Sequence, residues 1–163
     1  MTKQGLRRIR PTEINTDRVR MFTVERLKKV MQELIDLKRD LIRAVYLFGS
    51  FAKGTEKAKS DIDIAFVFNE RFYKEDPFRA LQEAELLGAE ISKKIQRPVD
   101  VVILNGASLS FAYHAVREGV CIYENDLADR ILYEVTLDNK YQDILPFIKE
   151  LRDEKRRVLV GRD

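Results

Sequence analysis

From Gly49 to Asp63 the chain reads G-S-F-A-K-G-T-E-K-A-K-S-D-I-D, a glycine turn that leads into a pair of aspartates. Just ahead of it, Ala44 to Phe48 (A-V-Y-L-F) is apolar and β-prone, which predicts a buried strand. The chain is then expected to turn at Gly49-Ser50, cross a polar loop holding Lys53, Gly54, Lys57 and Lys59, and re-enter an apolar strand as D-I-D-I-A-F-V-F. Residues two apart on a strand share a face, so Asp61 and Asp63 should lie side by side with Ile62 and Ile64 turned to the core. Carboxylates that close repel each other unless a cation or a proton intervenes.

A third carboxylate stands downstream. Asp100 interrupts P-V-D-V-V-I-L, a run that otherwise reads as a fully buried strand, where an ionised group is costly unless it is paired or bound to a metal. Three aspartates on two adjacent strands would form an oxygen-rich site for a hard divalent cation such as Mg²⁺. The Gly49-Ser50 turn, with its backbone N–H groups, the Ser50 hydroxyl and nearby lysines, could hold phosphates beside that site. A nucleoside triphosphate with its metals fits such a place. A P-loop does not, although Gly49 and Gly54 have its spacing. Thr55-Glu56 stand where Lys-Ser or Lys-Thr is required, and the chain runs on into a strand instead of a long helix.

The Gly-Ser turn, the second glycine and Ser60-Asp61-Ile62-Asp63 together resemble the signature of the DNA polymerase beta-type nucleotidyltransferase superfamily. Within it, the chain is most similar to the minimal nucleotidyltransferases (MNT), antitoxins paired with HEPN-domain toxins. Arg97 to Val102 resembles the strand of the third carboxylate. Tyr113 to Asn125 resembles the following helix and Gly-x-x-Ile-Tyr strand, and the C-terminal segment resembles the terminal helix. The resemblance spans about residues 43 to 155; Lys53 departs from it, because many relatives carry arginine there.

This resemblance implies an α/β (α+β) nucleotidyltransferase fold, a mixed sheet of about four strands with packed helices and a C-terminal helical segment. It implies catalysis and metal binding by Asp61, Asp63 and Asp100, with two Mg²⁺ ions and ATP as substrate. Gly49, Ser50, Lys53 and Ser60 are the implied nucleotide-binding residues. The implied reaction moves AMP to a tyrosine of the HEPN toxin partner and so silences its ribonuclease activity. Two alternatives stay open: a small-molecule transferase of the aminoglycoside type, and an antitoxin that neutralises its partner by contact alone. A template-directed polymerase is disfavoured, since no second domain is evident to grip nucleic acid. Homo-oligomers and hetero-complexes both remain possible.

Composition narrows the field further. The chain has 163 residues, 35% of them charged and 45% hydrophobic, with a net charge of only +3, too small an excess to argue for nucleic acid on its own. One cysteine, Cys121, excludes an internal disulfide and fits a reducing cytoplasm; with a single histidine besides, it also excludes a zinc cage. No apolar run is long enough to span a membrane and no signal peptide is evident.

The expected organisation is a basic N-terminal arm over residues 1–15 and one domain over residues 16–163. An amphipathic helix is predicted from about Thr16 to Arg39, with Leu27, Val30, Met31 and Ile35 on its apolar stripe. Asn69 to Asp76 reads as a polar connection, and Asp76-Pro77 as the start of a second long helix that Arg97-Pro98 ends. Ser108 to Glu118 should form a short helix before Gly119, and Val120 to Tyr123 a fourth strand. From Asp126 on, apolar residues at helical spacing predict helix broken or kinked at Asp138-Asn139 or Pro146. Ser60 fits orienting the aspartates as well as touching ligand. His114 and Cys121 read as structural, and Lys57 and Lys59 as solvated.

Overall fold

The computed structural model describes residues 11–160 except positions 37, 39 and 58, with side chains described from residue 23 onward. The core of the architecture is a four-stranded mixed sheet in the order β3-β2-β1-β4. Strand β1 (Ile42–Phe48) lies between β2 (Ile62–Phe68) and β4 (Val120–Glu124) and runs antiparallel to both. Strand β3 (Val99–Ile103) is parallel to β2 and forms one edge.

The strand alternation sorts side chains onto two cores. Ile62, Ile64, Phe66 and Phe68 of β2, with Val45 and Leu47 of β1, meet α1 (Pro11–Ile35) and α4 (Pro77–Ile95) through Leu27, Met31, Ala84 and Ile91. On the opposite face, Tyr46, Ala65 and Val67 pack with Ala112 and Ala115 of α5 (Leu109–Arg117) and Leu137 of α6 (Leu127–Val160). Gly88 of α4 lets that helix press on β3, since a Cβ there would stand 2.5 Å from Val101 Cγ1. Polar clamps tie the start of α6 to the sheet. The Arg43 guanidinium donates to both carboxylate oxygens of Asp129 (2.6 and 2.7 Å), and the buried Tyr46 hydroxyl donates to Glu134 (2.8 Å).

Several elements differ from the expectations. Helix α1 begins at Pro11 rather than Thr16, with proline in the first-turn position it tolerates best. It therefore takes in the last five positions assigned to the arm, and residues 1–10 of that arm lie outside the described residues. The turn after β1 is a short helix, α2 (Gly49–Lys53), instead of open loop from the start. The expected polar connection contains α3 (Glu70–Glu75), whose orphan N–H groups at Arg71 and Phe72 are capped by the Asn69 side chain.

The C-terminal segment is one continuous helix of 34 residues that runs through Asp138, Asn139 and Pro146. The proline is exposed, so water can satisfy the carbonyl it deprives of a partner. Among the described residues no helix is long and apolar enough to cross a membrane.

Candidate active site

Register builds the site. Asp63 is paired with Phe48 on its β1 side and with Asp100 on its β3 side. The parallel pairing of β2 and β3 thus brings two carboxylates together from positions far apart in sequence. Asp61 lies just before β2 and is exposed. Ile62 and Ile64 are fully buried, as the alternation requires.

Asp100 corrects one expectation. Its strand is an edge strand and Asp100 itself is exposed, so water, not a partner, meets its charge. The group that suffers desolvation is Asp63. Burial first, then the Asp100 charge, then the Asp61 charge, push its carboxyl above the ordinary value. Asp63 therefore feels the charge of both other carboxylates. Like charges hold themselves apart, and among the described residues no three such side chains are close enough to enclose an ion.

Gly49 is the counterpart of Asp63 across the strand end. It adopts φ +68°, and a Cβ at this position would stand 2.2 Å from Asp63 Oδ2. Both facts call for glycine: the left-handed backbone and the close approach of a carboxylate oxygen. The same backbone opens α2, where the Ser50 carbonyl accepts from Thr55 N at 3.0 Å and from the Gly54 N–H, which folds the loop back on itself. Farther on, Ser60 Oγ accepts from Lys57 N at 2.7 Å while Ser60 N donates to the Lys57 carbonyl at 2.9 Å. Ser60 thus closes the turn that delivers the chain to Asp61.

Lys53, at the end of α2, pairs with Glu118 just past α5 at 2.6 Å. Lys53 is the first cause that holds the Glu118 carboxyl below its ordinary value. Glu118 also faces His114 Nδ1 at 3.2 Å, and the imidazole packs edge-on against Tyr113 and Tyr141. His114 is thereby part of the α5–α6 contact. The Cys121 thiol donates to the Tyr123 carbonyl at 3.2 Å, and burial pushes it up to about 11, which leaves little thiolate at neutral pH.

Two features of the site escape a reading of the sequence. Phe111 of α5 sets its ring edge-on to Phe48, with centroids 5.7 Å apart, so an aromatic pair flanks Asp63. In the loop ahead of Asp61, Glu56 Oε2 is buried with no hydrogen-bond partner, an acceptor left over for a donor or cation. Strand alternation offered a clue to Phe48, but Phe111 of α5 and Glu118 just past its end depend on packing that no local pattern reveals.

The donor chemistry suits a hard divalent cation. Asp61, Asp63 and Asp100 offer carboxylate oxygens only, next to a turn rich in backbone N–H groups. Comparison with known proteins shows which family the chain resembles. The family described as "Polymerase beta, Nucleotidyltransferase" matches residues 26–128. The protein adenylyltransferase MntA of Aphanizomenon flos-aquae is 32% identical over 123 residues, which cover 72% of this chain and 81% of that protein. Its namesake in Shewanella oneidensis is 30% identical over 115 residues, covering 69% and 77%. Solved structures share the fold. A toxin–antitoxin complex with AMP-PNP superposes with a TM-score of 0.57 at 23% identity, covering 82% of this chain and 98% of that one. A tri-AMPylated HEPN toxin with its MNT antitoxin, from Shewanella oneidensis, gives 0.52 at 22% identity, covering 80% and 98%.

Proposed function

This chain belongs to the polymerase beta nucleotidyltransferase family, and from that premise we propose that it moves AMP from ATP to a tyrosine hydroxyl of a cognate HEPN ribonuclease toxin, acting as its antitoxin. The observation that carries the proposal is the in-register pairing of Asp63 with Asp100, with Gly49 pressed on the Asp63 carboxylate. The names of the relatives support the acceptor: two are protein adenylyltransferases, and a fold neighbour holds an AMPylated HEPN toxin.

Asp61, Asp63 and Asp100 would hold two Mg²⁺ ions, which when bound neutralise the triphosphate and stabilise the charge that develops on transfer. The protein's own groups do the rest. The Gly49-Ser50 turn holds the outer phosphates through backbone N–H groups and the Ser50 hydroxyl. Lys53, which now shares its charge with Glu118, is within the same turn and adds a cation for the phosphates. Asp100, exposed at the edge of the sheet, accepts the proton of the incoming tyrosine hydroxyl. The new bond joins that oxygen to the α-phosphorus, the bond to the bridging oxygen breaks, and pyrophosphate leaves.

Calorimetry of ATP binding tests the site. ATP should bind tightly with Mg²⁺ and weakly in excess chelator, because bare carboxylates repel triphosphate. Equal affinity under both conditions would remove the metal-dependent reading.

A further inference from the structure

Helix α6 has two halves with different surroundings. Over its first half, Leu137 and Tyr141 are buried against α5 and the sheet, with Tyr141 stacked on Tyr113 at 3.9 Å. From Pro146 to Val160 every residue is exposed except the half-buried Ile148. The apolar stripe does not stop where the cover stops. With about 3.6 residues per turn, the side of Leu137 and Tyr141 continues as Ile144, Leu145, Ile148, Leu151, Val158 and Leu159. Leu151 and Leu159 are 65% and 63% exposed.

The charges that fall within or beside the stripe on this free half are basic. Arg152 and Lys155 fall within the stripe and Arg156 borders it, whereas Glu150, Asp153 and Glu154 fall on the opposite side together with Arg157. We propose that this face docks an amphipathic helix of the acceptor protein, apolar on its contacting side and edged by carboxylates. The inference rests on the reading of the chain as acting on a protein partner.

Three observations favour that occupant. The basic groups need acidic partners for complementarity, and a second copy of this chain would bring the same Arg152, Lys155 and Arg156 to the seam while its carboxylates point away. The stripe continues the surface that a helix, α5, already covers, so an incoming helix would sit in line with α5. The globular domain occupies the same side immediately upstream, which obstructs a flat bilayer more than a rod. The exposed stretch, residues 146–160, is about 22 Å long, enough for several turns of a partner helix. The α5 helix also reaches the carboxylate site through Phe111 and Phe48, so docking would bring the acceptor protein alongside the helix that flanks the chemistry.

The test uses the full chain and the purified HEPN-domain partner. Calorimetry compares wild type with Leu151→Glu/Leu159→Glu and with Arg152→Glu/Lys155→Glu/Arg156→Glu, all at exposed positions. Each variant should lose partner affinity by about tenfold or more, with circular dichroism and Mg²⁺-dependent ATP binding unchanged. Wild-type affinity in both variants would overturn the docking face. So would self-association in sedimentation, or binding to phosphatidylserine vesicles, that the same substitutions abolish. A chain that binds ATP with Mg²⁺ but never the partner would overturn the docking face and leave nucleotide binding standing. Failure of ATP binding itself would instead strike at the nucleotidyltransferase reading.

Discussion

At the ends of β2 and β3, register forces Asp63 and Asp100 to be neighbours, and Gly49 packs the first of them from the other side. Along the last turns of α6, Arg152, Lys155 and Arg156 are exposed to water. Charge at the sheet is held against repulsion by backbone hydrogen bonds, so it stores potential for a counter-ion. Charge on the helix costs nothing to keep and serves to steer a partner. Changes at the first place should alter chemistry and leave recognition intact; changes at the second should do the reverse.

The largest effect is expected from Asp61→Asn with Asp63→Asn. Loss of two of the proposed metal ligands should slow AMP transfer by about a thousandfold or more, while a pull-down still recovers the partner. Full transfer by the double variant would dissolve the distinction between the two regions. Gly49→Ala comes next. The positive φ and the clash with Asp63 should cost about 1–3 kcal/mol of stability and, by displacing the carboxylate, slow transfer about 10- to 100-fold. Thermal melts and turnover measured together check it, and a variant unchanged in both would mean that Gly49 does not confine Asp63.

The helix responds on another scale. Pro146→Ala restores a backbone donor within α6 and should stabilise that turn by up to about 3 kcal/mol. Slower amide exchange over residues 142–150 with unchanged turnover is the expected result; faster exchange would show that the proline is needed for the helix. A smaller effect concerns pH. The Asp63 carboxyl has its folded value raised by burial, Asp100 and Asp61, so the folded state binds the proton more tightly than the unfolded state. In chelator, the contribution of Asp63 to stability should therefore rise as pH falls from neutral through its folded value towards its unfolded value and level off below it. It acts against the opposite trend of Glu70, Glu118 and Asp129, whose folded values are lowered. Chemical denaturation at a series of pH values measures the profile, and Asp63→Asn should remove the Asp63 contribution from it. If the two profiles have the same slope, Asp63 is not the group under strain.

How much of this could be read beforehand differs by element. The β1–turn–β2 unit and the carboxylates at Asp61, Asp63 and Asp100 follow from local alternation, which a strand obeys whatever surrounds it. The edge position of β3 does not, because its apolar run looks the same in the middle of a sheet as at the margin. That is why Asp100 seemed buried in prospect and is exposed. The continuity of α6 through Pro146 was hidden for a related reason: proline disfavours a helix interior, but an exposed carbonyl can turn to water, and exposure is a tertiary property. Likewise the Lys53–Glu118 pair and the Phe48–Phe111 contact depend on where α5 lands. Long-range packing, not residue type, supplies them.

The most direct test of the central claim is a parallel assay with ATP labelled at the α- or the γ-phosphate, in Mg²⁺, with the purified HEPN-domain partner. The account predicts that α-label becomes covalently attached to a tyrosine of the partner, that γ-label appears only in released pyrophosphate, and that Asp61→Asn/Asp63→Asn abolishes both. Transfer of γ-label to the partner, or silencing of its ribonuclease activity with no label attached, would contradict it.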